Sequence, residues 1–222
     1  MQHRSALPGR GRGLRGENRR RLRFRPHRRS ESGAALIEAA IILPVLMLFL
    51  LAIMEFGLVY ASSATATGAS RSGARLAATS YAPNLASATT RRTAADGIAA
   101  AVSADSKSLT SAEPVGMVIY KVDTASSDGA PVGGWPGNNA TLSGGCTANC
   151  FRYTWSGSPK KMTFSSGDWS TPDACGLTVD SIGVYVVIKH TYLTTILGDF
   201  TYVTGRTVMR LEPLPTDQCT GP

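Results

Sequence analysis

The sequence predicts an α+β fold: a long N-terminal transmembrane helix, a short second helix, and then a mainly antiparallel β-sheet domain outside the membrane. Three observations predict it. From Ala39 to Met54 there is no charged residue, and apolar character extends from Ala34 to Ala61 with Glu38 and Glu55 as the only ionised side chains. Beyond Ser106 the hydrophobic period changes from the helical one to two. Helical patterns come first in the chain and strand patterns later, the order of an α+β domain.

The apolar run is long enough to cross a bilayer. At about 1.5 Å per residue it makes about 42 Å of helix, more than the roughly 30 Å of a hydrocarbon core. Its flanks set an orientation. Residues 1–33 hold eleven arginines against Glu17 and Glu31, a net of +9, whereas the rest of the chain holds twelve Lys/Arg against thirteen Asp/Glu. The overall charge of +8 is therefore an N-terminal property. A basic block directly before a membrane helix is a topology signal that keeps the N-terminus cytoplasmic, and nucleic-acid binding is the rival it displaces. Rich in Arg, Gly, Pro and Ser, this leader buries no core and is expected to be disordered and to meet anionic lipid. Arg19-Arg20-Arg21 and Arg28-Arg29 also resemble a twin-arginine export signal, but the apolar stretch is longer than the 7–15 residues of a cleaved signal. Signal-peptidase cleavage after Val59-Tyr60-Ala61 is a further rival, opposed by Glu38 and Glu55.

Glu38 is the residue a plain anchor does not explain. A carboxylate inside a membrane helix is costly unless a cation faces it. Gly33 stands five residues earlier, at the end of the basic leader. Cleavage after Gly33 would leave a new ammonium on Ala34, at the depth of a neighbouring chain's Glu38. Gly33, Ala34, Leu36, Ile37 and Glu38 resemble the cleavage-and-assembly motif of type IV prepilins. The longer string, with Pro44, Glu55-Phe56-Gly57 and the segment Ala69–Ala78 carrying Arg71, Gly73 and Arg75, is similar to TadE-like pseudopilins of the tight-adherence (Flp) pilus system. The similarity covers about residues 32–80, with a weaker echo at Arg206–Glu212. It implies processing at Gly33, Ala34 and Glu38, and assembly through Glu38, Pro44, Glu55, Arg71 and Arg75. Its implied partners are other pilins, an assembly platform and a prepilin peptidase. The chain departs from the prepilin pattern in its long leader and in Ala34, where prepilins often have an aromatic or methionine.

Within the span, Pro44 removes the hydrogen bond to the Ala40 carbonyl and predicts a kink. From Ala61 to Ser80 the sequence is rich in Ala, Ser, Thr and Gly, a composition that suits close packing against neighbouring helices or a solvated helical extension. Tyr81-Ala82-Pro83-Asn84 ends the helix. Ala94, Ile98 and Val102 recur every fourth residue and predict a second helix over Thr93–Ala104. Strands follow at Val118–Val122, Phe151–Trp155, Ile182–Ile188 and Phe200–Glu212, the last bent at Gly205. Residues 123–149 form a long Gly/Ser/Pro/Asn-rich loop, expected to be functional or mobile.

Cys146, Cys150, Cys175 and Cys219 all lie beyond the span, and an even count there reads as two disulfides with three possible connectivities. We expect Cys146 or Cys150 to join Cys175, leaving the other for Cys219. Zinc fits this spacing poorly, with no histidine near, and no metal or cofactor is expected. Asp168, Asp173 and Asp180 lack the spacing of a calcium loop. His190, the only histidine beyond the leader, shares a face with Ile182–Ile188 and reads as a packed residue rather than a base. Asn139-Ala140-Thr141 spells a glycosylation sequon. With no Gly-rich phosphate loop and no G-x-S-x-G, the chain is not expected to be an enzyme.

The expected organisation is a basic cytoplasmic leader (1–33), a transmembrane helix with its extension (34–80), and an extracytoplasmic α+β domain (81–222). The expected role is that of a single-pass bacterial membrane protein, a minor pseudopilin working in pilus assembly, secretion or adhesion. The alternative is a membrane-anchored binding domain that never enters a pilus.

Overall fold

The structure, a computed structural model, describes residues 32–81, 87–107, 109, 111–170, 172–175, 179–194, 197–215 and 219. The leader up to residue 31, with its arginine pairs, and the expected helix stop at 82–84 lie outside the described residues. The elements run α1 (Ser32–Ser80), α2 (Ala88–Ser106), β1 (Ala112–Lys121), β2 (Cys150–Gly157), β3 (Lys160–Asp168), β4 (Ser181–Thr191) and β5 (Phe200–Arg210). The architecture is α+β as expected, and the five strands form one antiparallel sheet of order β3-β2-β1-β4-β5.

The chain forms two compact units, Met1–Pro44 and Val45–Pro222. In the first, the described part is the start of α1, with every side chain from Gly33 to Pro44 exposed. The helix assignment passes through Pro44 without a break. In the second unit α1 continues and, from Ser62 on, becomes part of the core.

Small residues make that possible. Ser62, Ala66, Ala69, Ser70, Gly73, Ala74 and Ala77 are buried along one stripe of α1. They face β4 and β5: Ser70 Oγ lies 2.9 Å from Thr207 Oγ1 on β5, and a Cβ built on Gly73 would stand 3.2 Å from Val184 on β4. The closest approach is at Gly205 on β5, where a Cβ would come within 2.1 Å of the Ala66 carbonyl oxygen. Gly205 therefore serves the helix and not a bend, since β5 keeps unbroken register with β4 from Arg210 to Phe200. The small residues of Ala61–Ser80 pack on the chain's own sheet, an arrangement that neither inter-subunit packing nor a solvated extension describes.

The second helix starts five residues earlier than its periodicity indicates. Ser87 caps it, its side chain accepting from Thr90 N while Thr90 Oγ1 accepts from Ser87 N. Such a reciprocal cap satisfies two otherwise orphaned donors and lets a polar first turn be helical. Helix α2 covers the other half of the same sheet face. Ser103 Oγ donates to Ala99 O and accepts from Met162 N on β3, and Tyr153 on β2 donates to Asp96 at 2.7 Å. Arg91 grips Asp168 at the end of β3 with two bonds, Nε to Oδ1 at 3.0 Å and Nη2 to Oδ2 at 2.7 Å. Strand β3 itself has only Met162 and Phe164 as an apolar alternation, too short a pattern to be distinguished from a turn.

Residues 123–149, expected as a long loop, are packed against the domain. They fold over the opposite face of the sheet, where Leu142 and Cys146 pack with Val118, Tyr120, Tyr185 and Val187. Arg152 on β2 secures them by donating to the carbonyls of Leu142, Gly144 and Cys146. Both faces of the sheet are thus covered, and β4 is buried continuously from Ile182 to Ile188. Each of these Ile and Val side chains contributes on the order of 1.5–3 kcal/mol.

The two disulfides are Cys146–Cys150 and Cys175–Cys219, which corrects the expected pairing of Cys146 or Cys150 with Cys175. The sheet is the reason. Cys146 and Cys150 sit in the cluster on the loop-covered face, whereas Ala174, next to Cys175, packs in the cluster on the helix-covered face. The C-terminal segment meets Cys175 instead because Leu214 N donates to Ala174 O at 2.9 Å.

Candidate functional site

The residues singled out by sequence fall into three places. Gly33, Ala34 and Glu38 lie on the first turns of α1 and are exposed. A Cβ at Gly33 would meet nothing within 4 Å, so packing within this chain gives no reason for a glycine there. From Gly33 to Leu51 every side chain of α1 is exposed, Phe49 at 65% and Ile41 at 67% among them. Over Gly33–Ser80 lies the one helix among the described residues that is long and apolar enough to cross a membrane.

Arg71 and Arg75 occupy the second place. Both are exposed, on the side of α1 away from the sheet, and they line an open groove with Gly68, Ser72, Thr79 and Ala101 of α2. That face remains available to another molecule.

Glu55 is in the third place. It is 2% exposed, although its neighbours Met54 and Phe56 are 54% and 65% exposed. Its Oε1 accepts a hydrogen bond of 2.5 Å from the backbone N–H of Thr194, just after β4. One oxygen of the carboxylate is thus turned to its own domain. Two turns further along α1, Ser62 Oγ donates to Leu58 O at 3.0 Å and lies 3.0 Å from His190 Nδ1. A hydroxyl has one proton, so with that proton on Leu58 O the imidazole must donate from Nδ1 to the serine. His190 Nε2 is then a bare acceptor, buried without a partner, as is Glu55 Oε2. Burial pushes the His190 pKa down and the nearby Glu55 carboxylate partly restores it. His190 is fully buried, so it is a packed residue, as its position on the strand face indicated. Nothing in the sequence pattern linked it to Ser62 or placed Thr194 on Glu55, because both contacts join segments more than a hundred residues apart.

The carboxylates weighed for calcium have structural partners. Asp168 is held by Arg91, which keeps its carboxyl below the usual range. Asp180 takes Lys121 at 2.7 Å on one oxygen and Asp173 N on the other. Among the described residues no three His, Cys, Asp or Glu side chains gather to hold a metal ion.

A helix that emerges bare at one end and is built into an antiparallel sheet at the other defines a class: a globular domain carried on a membrane-length helix. Residues 33–75 match the family of TadE-like protein. The match begins at Gly33, includes Glu38, Glu55 and Arg71, and ends at Arg75, so the helix carries the family resemblance. No curated protein and no solved structure matches the chain. The TadE-like segment together with a single apolar N-terminal helix fits a membrane-anchored protein associated with tight-adherence systems.

Proposed function

We propose that the chain is a minor pseudopilin-like subunit of a tight-adherence pilus system. It inserts with its basic leader in the cytoplasm, is cut after Gly33 by a prepilin peptidase, and presents the α+β domain on the far side of the membrane. It acts by association, without catalysis, and its partners are other pilins and the assembly platform. The observation that carries the reading is Glu38, a carboxylate exposed on an otherwise apolar helix start, five residues after a glycine with no packing role. In an assembled state the ammonium of a neighbour's Ala34 faces that carboxylate, and losing one member of such a pair costs roughly 3–5 kcal/mol. Arg71 and Arg75 offer a second, polar contact on the uncovered side of α1.

The test combines two measurements. N-terminal sequencing of membrane-extracted protein is expected to give Ala34, and a mature chain beginning near Ser62 would refute processing at Gly33. Glu38→Gln is expected to insert and to be cleaved but to lose cross-linking to pilin partners. Full retention of cross-linking by Glu38→Gln would leave a membrane-anchored binding domain as the better description.

A further inference from the structure

On both sides of the β4–β5 turn, large apolar side chains are exposed where a water-facing turn ordinarily carries polar ones. Leu193 is 58% exposed, Leu197 48% and Phe200 45%. Thr194 and Leu197, on either side of the turn, lie beside the membrane-length part of α1. Thr194 is fixed to Glu55 by its backbone N–H, and Thr194 and Leu197 line a groove of about 360 Å³ together with Val45, Leu48, Ala52 and Glu55. From Glu55 back to Val45 is about 15 Å of helix, half the thickness of a hydrocarbon core. The apolar run from Ala34 to Met54 is just long enough to fill that core, so Val45, Leu48 and Ala52 belong to the leaflet nearer the domain.

The geometry points to insertion of Leu193 and Leu197 into that leaflet, with phospholipid acyl chains as the occupant of the groove. The inference rests on α1 being a membrane anchor. Lipid, and not a partner helix, is indicated by how the exposure is distributed. A docking helix would need one apolar seam, whereas Leu46, Met47, Leu48, Phe49 and Leu50 are each more than half exposed, which takes in the whole circumference of α1. Leu193 and Leu197 extend that surface sideways, and Asp199, exposed between Leu197 and Phe200, marks where the chain returns toward the headgroups. Phe200 also belongs to an aromatic and lysine group toward the domain: Lys189 Nζ lies 4.2 Å from the centre of its ring, beside Tyr202, and Tyr60 on α1 is 77% exposed. Aromatic and lysine side chains gather where headgroups meet hydrocarbon. Insertion also gives Glu55 a physical reason to be covered. A carboxylate at the edge of the core is costly when it faces acyl chains, and the hairpin end supplies both an N–H donor and a shield.

The test uses the full chain in phospholipid vesicles, with nitroxide side chains attached through p-acetylphenylalanine so that the four cysteines stay paired. Labels at Leu193 and Leu197 are compared with one at Leu50 on α1 and one at Thr124, an exposed position far along the chain in the loop. The reading is the ratio of collision with oxygen, which concentrates in acyl chains, to collision with a water-soluble nickel chelate. At Leu193 and Leu197 the ratio is expected to rise several-fold above that at Thr124 and to approach that at Leu50. A Thr124-like ratio at both hairpin positions, with Leu50 in lipid, overturns the insertion and leaves the anchor intact. Loss of collision with both reagents at Leu197 shows protein in the groove and overturns lipid as its occupant. A Thr124-like ratio at Leu50 overturns the anchor reading, and the insertion with it.

Discussion

Replacing Gly205 by alanine tests whether α1 is part of the domain core or only tethered to it. The added Cβ would stand 2.1 Å from the Ala66 carbonyl oxygen, 2.2 Å from its carbon and 2.6 Å from Thr67 N. Ordinary contact begins near 3.4 Å, so helix and strand must separate by more than 1 Å. Neither side can yield by rotating a side chain, because the atoms in conflict are backbone. The separation reaches the stripe from Ala66 to Ala77, which is buried against the sheet and, at Gly73, also against Val102 of α2. Overpacking of a core costs typically 1–3 kcal/mol, and a backbone-to-backbone conflict belongs at the upper end, about 3 kcal/mol. Gly97→Ala is the matched control. Gly97 is an exposed position in the middle of α2 where a Cβ meets nothing within 4 Å, so alanine there is expected to stabilise by about 0.5–1 kcal/mol. Urea unfolding of the full chain in detergent micelles, followed by tryptophan fluorescence, reads both. Equal midpoints for Gly205→Ala and the parent would refute the close approach, and a matching loss in Gly97→Ala would show that any glycine replacement is harmful.

Two further predictions follow from the domain. His190 has a folded pKa below its unfolded value of about 6.5, so the unfolded chain binds the extra proton and stability falls as pH drops below about 6.5; His190→Asn is expected to abolish that slope between pH 7.5 and 5.5, measured as urea midpoints, and a parent protein with equal midpoints at both pH values would contradict it. The double variant Cys175→Ser with Cys219→Ser opens a loop with a separation of 44 residues and is expected to cost about 2–4 kcal/mol, whereas Cys146→Ser with Cys150→Ser, with a separation of 4 and with Arg152 still holding the segment, is expected to cost less; the order of the two melting temperatures decides, and intact mass of the parent must rise by four hydrogens on reduction.

What the sequence revealed depends on the range of the interactions involved. The membrane-length helix, its glycine and glutamate, and the alternation in β4 are local patterns, and each was legible. The second helix was legible where alanine, isoleucine and valine repeat, but its first turn rests on the Ser87–Thr90 cap, a polar signal outside the hydrophobic period. Gly205 marks a real feature, and its cause lies about 140 residues away at Ala66, which no pattern within β5 reveals. The disulfide pairing failed for the same reason. Spacing says nothing about which face of the sheet a cysteine occupies, and the face decides the partner. Long-range placement also hid how the loop over 123–149 is held, since the carbonyls that Arg152 gathers carry no side-chain signature.

The way α1 joins the sheet has a mechanical consequence. From Ser62 to Ala78 the helix runs alongside β5 in the same direction, tied at Ser62 to His190, at Ser70 to Thr207, and at Ala78 O to Glu212 N. A pull along the helix axis loads these ties together in shear instead of opening them one after another. There is no slack linker between Glu55 and Ser62, so tension on the membrane half reaches the sheet within two helical turns. Tension on the stem is therefore shared between β4 and β5 and does not peel the helix from the sheet tie by tie.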